Sequence, residues 1–223
     1  MYETSNIVFF GCNYNDKAIK RQFDSLKKKI ESDTPMSCIV IDKRAQKSAK
    51  DLWVDIQTGI TDSAGCFFDV TAFRPNVVLE LGYALGQKNN SQLFITFRER
   101  VRKGQQPYWL LSDIGHLNRH PYKNLVSLEN FVRSQISQLP YFKNYQDFRS
   151  RCNKTSVPDK YKESGLIILQ TIRDEGDKTD EQIKSLLQGT GFHINKMISL
   201  LKSCKLMKRR QGRRGRWFLP KGN

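Results

Sequence analysis

Two carboxylates, Asp69 and Glu80, lie on a largely apolar stretch between residues 68 and 88. The stretch begins as a buried strand and continues as a helix, and burial should exclude a charged group from both. A carboxylate in a partly desolvated cleft can stabilise the positive charge that develops on a ribose carbon as an N-glycosidic bond breaks, or can attack that carbon. Glu80 and Asp69 are therefore candidate catalytic residues, with Asp69 holding ribose hydroxyls or orienting Glu80.

Simpler roles remain open for both carboxylates. Asp69, two residues before Thr71, could only close the strand and cap the following helix, because Asp and Thr favour such positions. Glu80 could be a solvated residue of that helix. However, Asn76 precedes Glu80 by four residues, so the two side chains should share one face of the helix. We expect these two side chains, and Asp69 at the end of its strand, to face a crevice beyond the strand ends.

Short apolar runs alternate with amphipathic segments over the first 145 residues. Strands are predicted at 6–12, 37–42, 65–71 and 92–97, with a weaker fifth at 113–122, and helices at 16–31, 48–62, 77–87 and 125–139. This alternation predicts an α/β, doubly wound, mostly parallel sheet of the flavodoxin-like kind, with helices on both faces. Ligands bind such sheets beyond the carboxyl ends of the strands. The polar segment 98–109 is predicted to be a functional or mobile loop.

The last part of the chain has a different character. Helices are predicted at 165–176, 179–189 and 191–206, followed by a basic ribbon that ends on two aromatic residues. This order predicts a winged helix-turn-helix domain at 161–223, joined by a linker at 146–160 to the first domain at 1–145. The candidate nucleic-acid contacts are Lys196, Lys202, Lys208, Arg209, Arg210, Arg213, Arg214 and Arg216. Docking to another protein, or a purely structural role, is the alternative.

Composition supports a polyanionic partner. The net charge is +16, and residues 150–223 contribute 17 Lys and Arg against 7 Asp and Glu. Nucleic acid is expected before an acidic membrane surface. The five cysteines are odd in number and widely spaced, which indicates reduced thiols, and no histidine has metal-ligand spacing. Without a membrane span or signal-peptide pattern, we expect a cytoplasmic protein with no membrane partner.

Two nucleotide-binding fingerprints are missing from the sequence. No GxGxxG motif follows the first predicted strand, and no P-loop occurs anywhere in the chain. A dinucleotide-dependent redox enzyme is therefore not expected. Neither a cofactor nor a metal is predicted, although a nucleotide or NAD could be the substrate.

The run from residue 56 to residue 86 resembles the nucleoside 2-deoxyribosyltransferase-like proteins and the related TIR-like nucleotide-binding domains of bacterial defence systems. They share an alanine-bearing turn, a strand ending in Asp, and a helix start of the form NV-x-x-E-L-G-x-A. The matching residues here are Ala64, Asp69, Thr71, Asn76, Val77, Glu80, Leu81, Gly82 and Ala84. Residues 10–14 also resemble the first ligand loop of the family, and the resemblance extends over about residues 5–140.

The resemblance implies roles for individual residues. The matching Glu is the nucleophile of the transferases and supports nicotinamide release in TIR-type hydrolases, which makes Glu80 the catalytic candidate and Asp69 its partner. The resemblance implies Tyr14 and Asn76 as ligand contacts, and the full set of candidate contacts is Gly11, Asn13, Tyr14, Thr71, Arg74 and Asn76. The sequence departs from the transferases at residues 72–75, where Arg74 favours a phosphorylated ligand over a free nucleoside.

Three functional hypotheses follow. The first is a nucleotide or NAD glycohydrolase, or a deoxyribosyltransferase-like enzyme, that acts in antiviral defence and is targeted by its basic winged helix. The second is a nucleotide-sensing, DNA-binding transcriptional regulator without catalysis, which would require a homo-oligomer to couple the cleft to the winged helix. The third is an enzyme that modifies a base within nucleic acid itself.

Overall fold

Five parallel strands form the centre of the computed structural model, which describes residues 5–41, 49–71, 73–99, 118–187, 194–210 and 215–220. The strands are β1 (Ile7–Gly11), β2 (Ser37–Val40), β3 (Gly65–Asp69), β4 (Leu93–Arg98) and β5 (Asn118–Tyr122). Their order is β2-β1-β3-β4-β5, and all neighbouring pairs are parallel. The predicted α/β sheet is confirmed. Because the chain moves outward to β2 and then returns to β3, the order reverses between β1 and β3, where a ligand crevice is expected.

Four helices cover the two faces of the sheet. α1 (Lys17–Asp33) and α4 (Leu125–Ile136) lie on one face, while α2 (Ala49–Asp62) and α3 (Pro75–Gln87) lie on the other. Side chains alternate between the faces along each strand. Thus Phe67 packs on the α1 side, and Phe68 packs on the α3 side.

The first helix is strongly specified by its sequence. Its apolar residues recur at helical spacing and are all buried, namely Ile19, Phe23, Leu26 and Ile30. The side chain of Asp16 caps the helix by accepting hydrogen bonds from the backbone N–H groups of residues 18 and 19, at 2.8 and 3.2 Å. This cap fixes the start of α1 next to the end of β1.

Four more helices and a strand pair follow the sheet. They are α5 (Pro140–Cys152), α6 (Pro158–Glu175), α7 (Asp180–Leu186), α8 (Ile194–Ser203), β6 (Lys208–Arg209) and β7 (Trp217–Phe218). β6 and β7 are antiparallel, and Lys178 bridges to Trp217. A capping box begins α7, with the side chain of Thr179 accepting from the backbone N–H of Gln182. Below, the C-terminal unit means residues 158–220.

The segment predicted as a linker, 146–160, consists of the second half of α5, five connecting residues and the start of α6. The sequence did not predict α5, and α6 begins seven residues before its predicted start at 165. The predicted loop at 98–109 and fifth strand at 113–122 fall only partly within the described residues, as 98–99 and 118–122. No helix in the described ranges is long and apolar enough to cross a bilayer.

The C-terminal unit is fixed to the end of α1 by an arginine whose side chain is 10% exposed. Nη1 of Arg173 donates to the backbone carbonyls of Glu31, Thr34 and Met36, at 2.9, 3.1 and 2.9 Å. The Nε2 of Gln170 donates to two carbonyls of the same segment, at 3.0 and 2.9 Å. Carbonyls at a helix end have no partner within the helix, so these donors satisfy them and complement the negative pole of α1.

Further contacts join the C-terminal unit to the amino ends of the strands. The backbone N–H of Asn6, one residue before β1, donates to the carbonyl of Pro220 at 3.4 Å. The hydroxyl of Tyr141, on α5, donates to the carbonyl of Leu206 at 3.0 Å. One apolar cluster runs from the α1 face of the sheet through α5 into the C-terminal unit. The two parts of the chain are therefore packed against each other along a continuous core.

Candidate functional site

A cavity of about 380 Å³ opens at the carboxyl end of the sheet, where the strand order reverses between β1 and β3. Its apolar wall is formed by β2 and α2 with Val40, Ile41, Leu52 and Ile56. Its polar wall is formed by the loop after β1 and by α3, and includes Asn13, Tyr14, Asp16, Arg74, Asn76 and Glu80. A concave site with one apolar and one polar side is typical of small-molecule binding.

Glu80 is buried in the wall of this cavity, with only 8% of its surface exposed. It is the only charged residue between Pro75 and Gln87, so the rest of α3 is neutral. Asn76 lies one turn earlier and lines the same cavity. The structure therefore brings together the pair that the i, i+4 spacing placed on one face.

Gly11 makes room for the carboxylate of Glu80. A Cβ atom at position 11 would lie 2.9 Å from Oε2 of Glu80 and 2.5 Å from Cδ1 of Phe68. Real Cβ atoms essentially never approach other atoms that closely. Glu80 is consequently seated against the bare backbone at the end of β1, beside the ring of Phe68.

Asp69 lies on the opposite face of the sheet from Glu80. It follows Phe68, whose ring packs on the α3 side, so the alternation of the strand directs Asp69 toward the α1 side. Its carboxylate accepts from the backbone N–H of Thr71 at 2.8 Å and from the hydroxyl of Tyr122 on β5. Asp69 is 1% exposed and is not among the residues that line the cavity. It occupies the strand-closing position considered above as its simpler role.

Burial raises the pKa values of both Asp69 and Tyr122. It raises the pKa of Asp69, and the hydrogen bonds from Thr71 and Tyr122 act in the opposite direction. The pKa of Tyr122 is raised by burial and by the nearby Asp69 carboxylate. The Thr71 hydroxyl accepts from the backbone N–H of Arg98 at 2.9 Å, and Thr71, like Asp69, lies outside the cavity wall. Together these groups tie the end of β3 to β4 and β5.

The loop after β1 presents two of the predicted ligand contacts, Asn13 and Tyr14, to the cavity, whereas Gly11 is not part of the cavity wall. Asn13 is buried, and its carbonyl accepts from the backbone N–H of Asp16 at 3.0 Å. The hydroxyl of Tyr14 donates to Asp24, and the ammonium of Lys20 lies 4.5 Å from the centre of the Tyr14 ring. These contacts hold the loop against α1 and fix the polar wall.

Arg74 is placed at the amino terminus of α3, where that helix meets the cavity. It is the N-cap residue, is exposed, and makes no side-chain capping hydrogen bond. The positive pole of the helix and the guanidinium therefore act on the same part of the cavity, an arrangement suited to a phosphate group. Pro75, at the start of the helix, has no N–H to satisfy.

Cys12 also lines the cavity, next to Gly11. Burial raises the pKa of its thiol well above the ordinary value, and the charges of Asp69, Glu80 and Asp24 raise it further. The thiol is therefore held neutral and is a poor nucleophile.

No sequence pattern indicated that the apolar wall and Asp16 belong to the site. Leu52 and Ile56 were assigned only to a helix face, and Val40 and Ile41 only to a strand. The rule that ligands lie beyond the strand ends at the order reversal would have pointed to the end of β2 and the loop after β1.

The predicted nucleic-acid contacts lie on different elements of the C-terminal unit and differ in their exposure to solvent. Lys196 and Lys202 lie on the exposed face of α8, whose opposite face is buried. Arg216 is exposed and Lys208 is half-buried. Arg213 and Arg214 lie outside the described residues.

Arg209 and Arg210 are held by contacts inside the C-terminal unit. Arg209 pairs with Asp180 at 2.8 Å and lies over the ring of Trp217, whose Nε1 donates to the same carboxylate at 2.6 Å. Arg210 pairs with Asp177 at 3.2 Å and lies over an aromatic ring of β7. Both arginine side chains remain at least half exposed. Their guanidinium groups therefore have structural partners but still face solvent.

Within the described part of the chain, no group of three or more His, Cys, Asp or Glu side chains could hold a metal ion. Comparisons of the chain with protein-family models, with curated proteins and with solved structures gave no match. The cavity and its residues are therefore the basis for a functional proposal.

Proposed function

We propose that the α/β domain binds a nucleotide in the cavity at the carboxyl end of the sheet and breaks its N-glycosidic bond. The observation that carries the proposal is Glu80, a buried carboxylate seated against Gly11 in the wall of a ligand-sized cavity. A buried acidic group in a cleft is a common feature of catalytic sites.

The two walls of the cavity suit different parts of a nucleotide. The apolar wall around Leu52 and Ile41 accommodates a base, and Arg74 with the start of α3 binds a phosphate. The ribose then lies beside Glu80, with Asn76 available to its hydroxyls. An NAD or nucleoside monophosphate fits this distribution of groups.

Glu80 would act on the sugar carbon that bears the base. As the carbon–nitrogen bond breaks, its electron pair leaves with the base and positive charge develops on the sugar carbon. The carboxylate either stabilises that charge or forms a bond to the carbon, which water or another acceptor then replaces. The close packing of Glu80 against Gly11 holds the carboxylate in place before the reaction begins.

A direct assay tests this activity. The purified chain is incubated with NAD and with nucleoside monophosphates, and free base is measured by chromatography. Glu80→Gln is expected to lower the rate of base release by about 100-fold or more, because the amide cannot support the positive charge. Glu163→Gln, at an exposed position on α6, is the matched control and should leave the rate unchanged. Base release that persists in Glu80→Gln would exclude this role.

The C-terminal unit is proposed to be a winged helix-turn-helix that binds nucleic acid, and the whole protein to be a defence effector. Three helices followed by an antiparallel pair, the exposed lysines of α8 and the basic composition of the unit support the domain assignment. The resemblance to TIR-like defence domains supports the biological role.

One observation favours a nucleotide-sensing regulator as a second candidate. Asp16, which caps the start of α1, lines the cavity, and the other end of α1 carries the carbonyls of Glu31 and Thr34 that Arg173 binds from the C-terminal unit. A ligand that moved the start of this helix would change its contact with the C-terminal unit. For a regulator, no base is released, but a nucleotide changes the affinity of the chain for duplex DNA.

A further inference from the structure

The cavity and the C-terminal unit lie at opposite ends of the sheet. The cavity is lined at the carboxyl end by residues that follow β1 and β2, such as Asn13 and Ile41. The C-terminal unit contacts Asn6 and Met36, which immediately precede the same two strands. A strand of five residues, the length of β1, separates these ends by about 15 Å.

The C-terminal unit is held at the amino end by several independent contacts. Arg173 and Gln170 bind carbonyls at the end of α1, and Tyr141 binds the carbonyl of Leu206. The apolar core is continuous across the contact. A packed, hydrogen-bonded junction of this kind keeps its geometry when a ligand binds, unlike a domain on a free tether.

The distribution of charge favours polynucleotide binding at the C-terminal unit rather than at the cavity. The mouth of the cavity carries charges of both signs, with Asp16 and Glu80 beside Arg74. The chain from residue 150 onward has 17 basic against 7 acidic residues. An enzyme that acts on a base within a nucleic acid must have its active site close enough to the polynucleotide to receive the flipped base. In this protein the basic residues expected to bind the polynucleotide belong to the C-terminal unit, which lies at the opposite end of the sheet from the cavity.

We infer that the substrate of the cavity is a free mononucleotide or dinucleotide that enters from solution, and that polynucleotide binds separately at the C-terminal unit. The inference rests on the proposed function and specifies its substrate class. It argues against the hypothesis that the enzyme modifies a base within the nucleic acid it holds. Both ligands are expected to bind one molecule at the same time.

Thiol labelling of the full-length chain locates the bound duplex directly. Asn76→Cys places a reactive thiol at the mouth of the cavity, and Lys202→Cys places one on the exposed face of α8. Alkylation is followed peptide by peptide with mass spectrometry, so that the native cysteines are counted separately. The probe is a DNA duplex of about 20 base pairs, roughly two helical turns.

A saturating duplex is expected to slow labelling at position 202 by about fivefold or more, and at position 76 by less than about twofold. Protection at position 76 would overturn the inference, because it would place the strand over the cavity. Absence of duplex binding at low salt would overturn it as well, because the separate polynucleotide site would not exist.

A second measurement separates this inference from the proposed function. NAD or a nucleoside monophosphate is titrated into Glu80→Gln in the absence and presence of saturating duplex. A ternary complex is expected, whereas mutual exclusion of the two ligands contradicts the inference. If the nucleotide does not bind even without duplex, the proposed function fails and the free-substrate inference falls with it, while the labelling result still locates the duplex.

Discussion

At the scale of single residues, the feature that matters most is the absence of a side chain at Gly11. The carboxylate of Glu80 and the ring of Phe68 both occupy space that a methyl group at position 11 would require. Cores respond to added methyl groups with strain and shifted side chains. The position of the candidate catalytic group therefore depends on a residue 69 positions earlier in the chain.

Gly11→Ala is expected to destabilise the protein by about 1–3 kcal/mol and to displace Glu80 or Phe68. Base release should fall together with stability. Gly59→Ala is the matched control, because the atoms nearest to its new Cβ would belong to Phe9 and Ile39, at 3.1 Å or more, rather than to Glu80. Urea unfolding measures the free energy of unfolding of both variants.

A double-mutant cycle isolates the contact with the carboxylate. Gly11→Ala should cost less free energy in the Glu80→Ala background, with a coupling of about 0.5 kcal/mol or more. Additive effects of the two substitutions would show that Glu80 does not depend on the space at Gly11.

At the scale of elements, Asp69 joins the ends of three strands. Through Thr71 and Tyr122 it connects the end of β3 with the ends of β4 and β5. The loop that it closes then leads to Arg74 and the start of α3. Within this loop Phe73 has a φ of 52°, a left-handed conformation that is costly for a residue with a side chain. The Asp69 contacts thus support a strained connection into the candidate site.

The buried carboxylate should make stability depend on pH in a defined direction. Burial raises the folded-state pKa of Asp69 above its ordinary value of about 4, so the folded protein binds a proton more tightly than the unfolded chain. The resulting stabilisation is fully present below the unfolded pKa. It is lost as the pH rises through the folded pKa.

Asp69→Asn removes this titration and tests its sign. The free energy of unfolding of the unmodified protein, measured in urea relative to Asp69→Asn, should decrease as the pH is raised from about 4 toward 7. Asp159→Asn changes an aspartate whose side chain is 88% exposed, and it serves as the control for the effect of removing one aspartate. A difference that increases with pH would mean that the hydrogen bonds from Thr71 and Tyr122 outweigh burial.

Most elements could be predicted from local patterns, and the exceptions have physical causes. The strands and α1 to α4 were identified because continuous apolar runs alternate with helical spacing. α5 was missed although Tyr141, Tyr145, Phe148 and Cys152 have helical spacing, because tyrosines and a cysteine among polar residues give a weak apolar signal.

The candidate site was predictable in part. The shared face of Asn76 and Glu80 follows from helix geometry, and both residues line the cavity. The placement of Asp69 was available from strand alternation, because consecutive residues point to opposite faces. The seat at Gly11 and the pairing of Arg209 with Asp180 depend on contacts between distant segments, and no local pattern reveals them.

At the scale of the whole molecule, the sheet and the C-terminal unit share one core and a hydrogen-bonded junction. Arg173 is central to that junction, since one of its nitrogens serves three carbonyls at the end of α1. A continuous core favours a single cooperative unfolding transition. We expect the sheet and the C-terminal unit to unfold together.

Arg173→Ala removes the arginine donor from the carbonyls of Thr34 and Met36, while Gln170 still donates to that of Glu31, and should lower the free energy of unfolding by about 2–3 kcal/mol. Arg149→Ala, at an exposed position on α5, is the matched control and should change it by less than about 0.5 kcal/mol. Hydrogen exchange followed by peptide should show faster exchange in both parts of the protein in Arg173→Ala. Faster exchange confined to the C-terminal unit would show that the two parts unfold separately.

The contact between Asn6 and Pro220 has a practical consequence. It brings the residue before β1 and the segment after β7 to the same corner of the protein, at the amino ends of the strands. A fluorescent label attached next to either of these residues would lie at that corner, away from the opening through which a small molecule would enter the cavity.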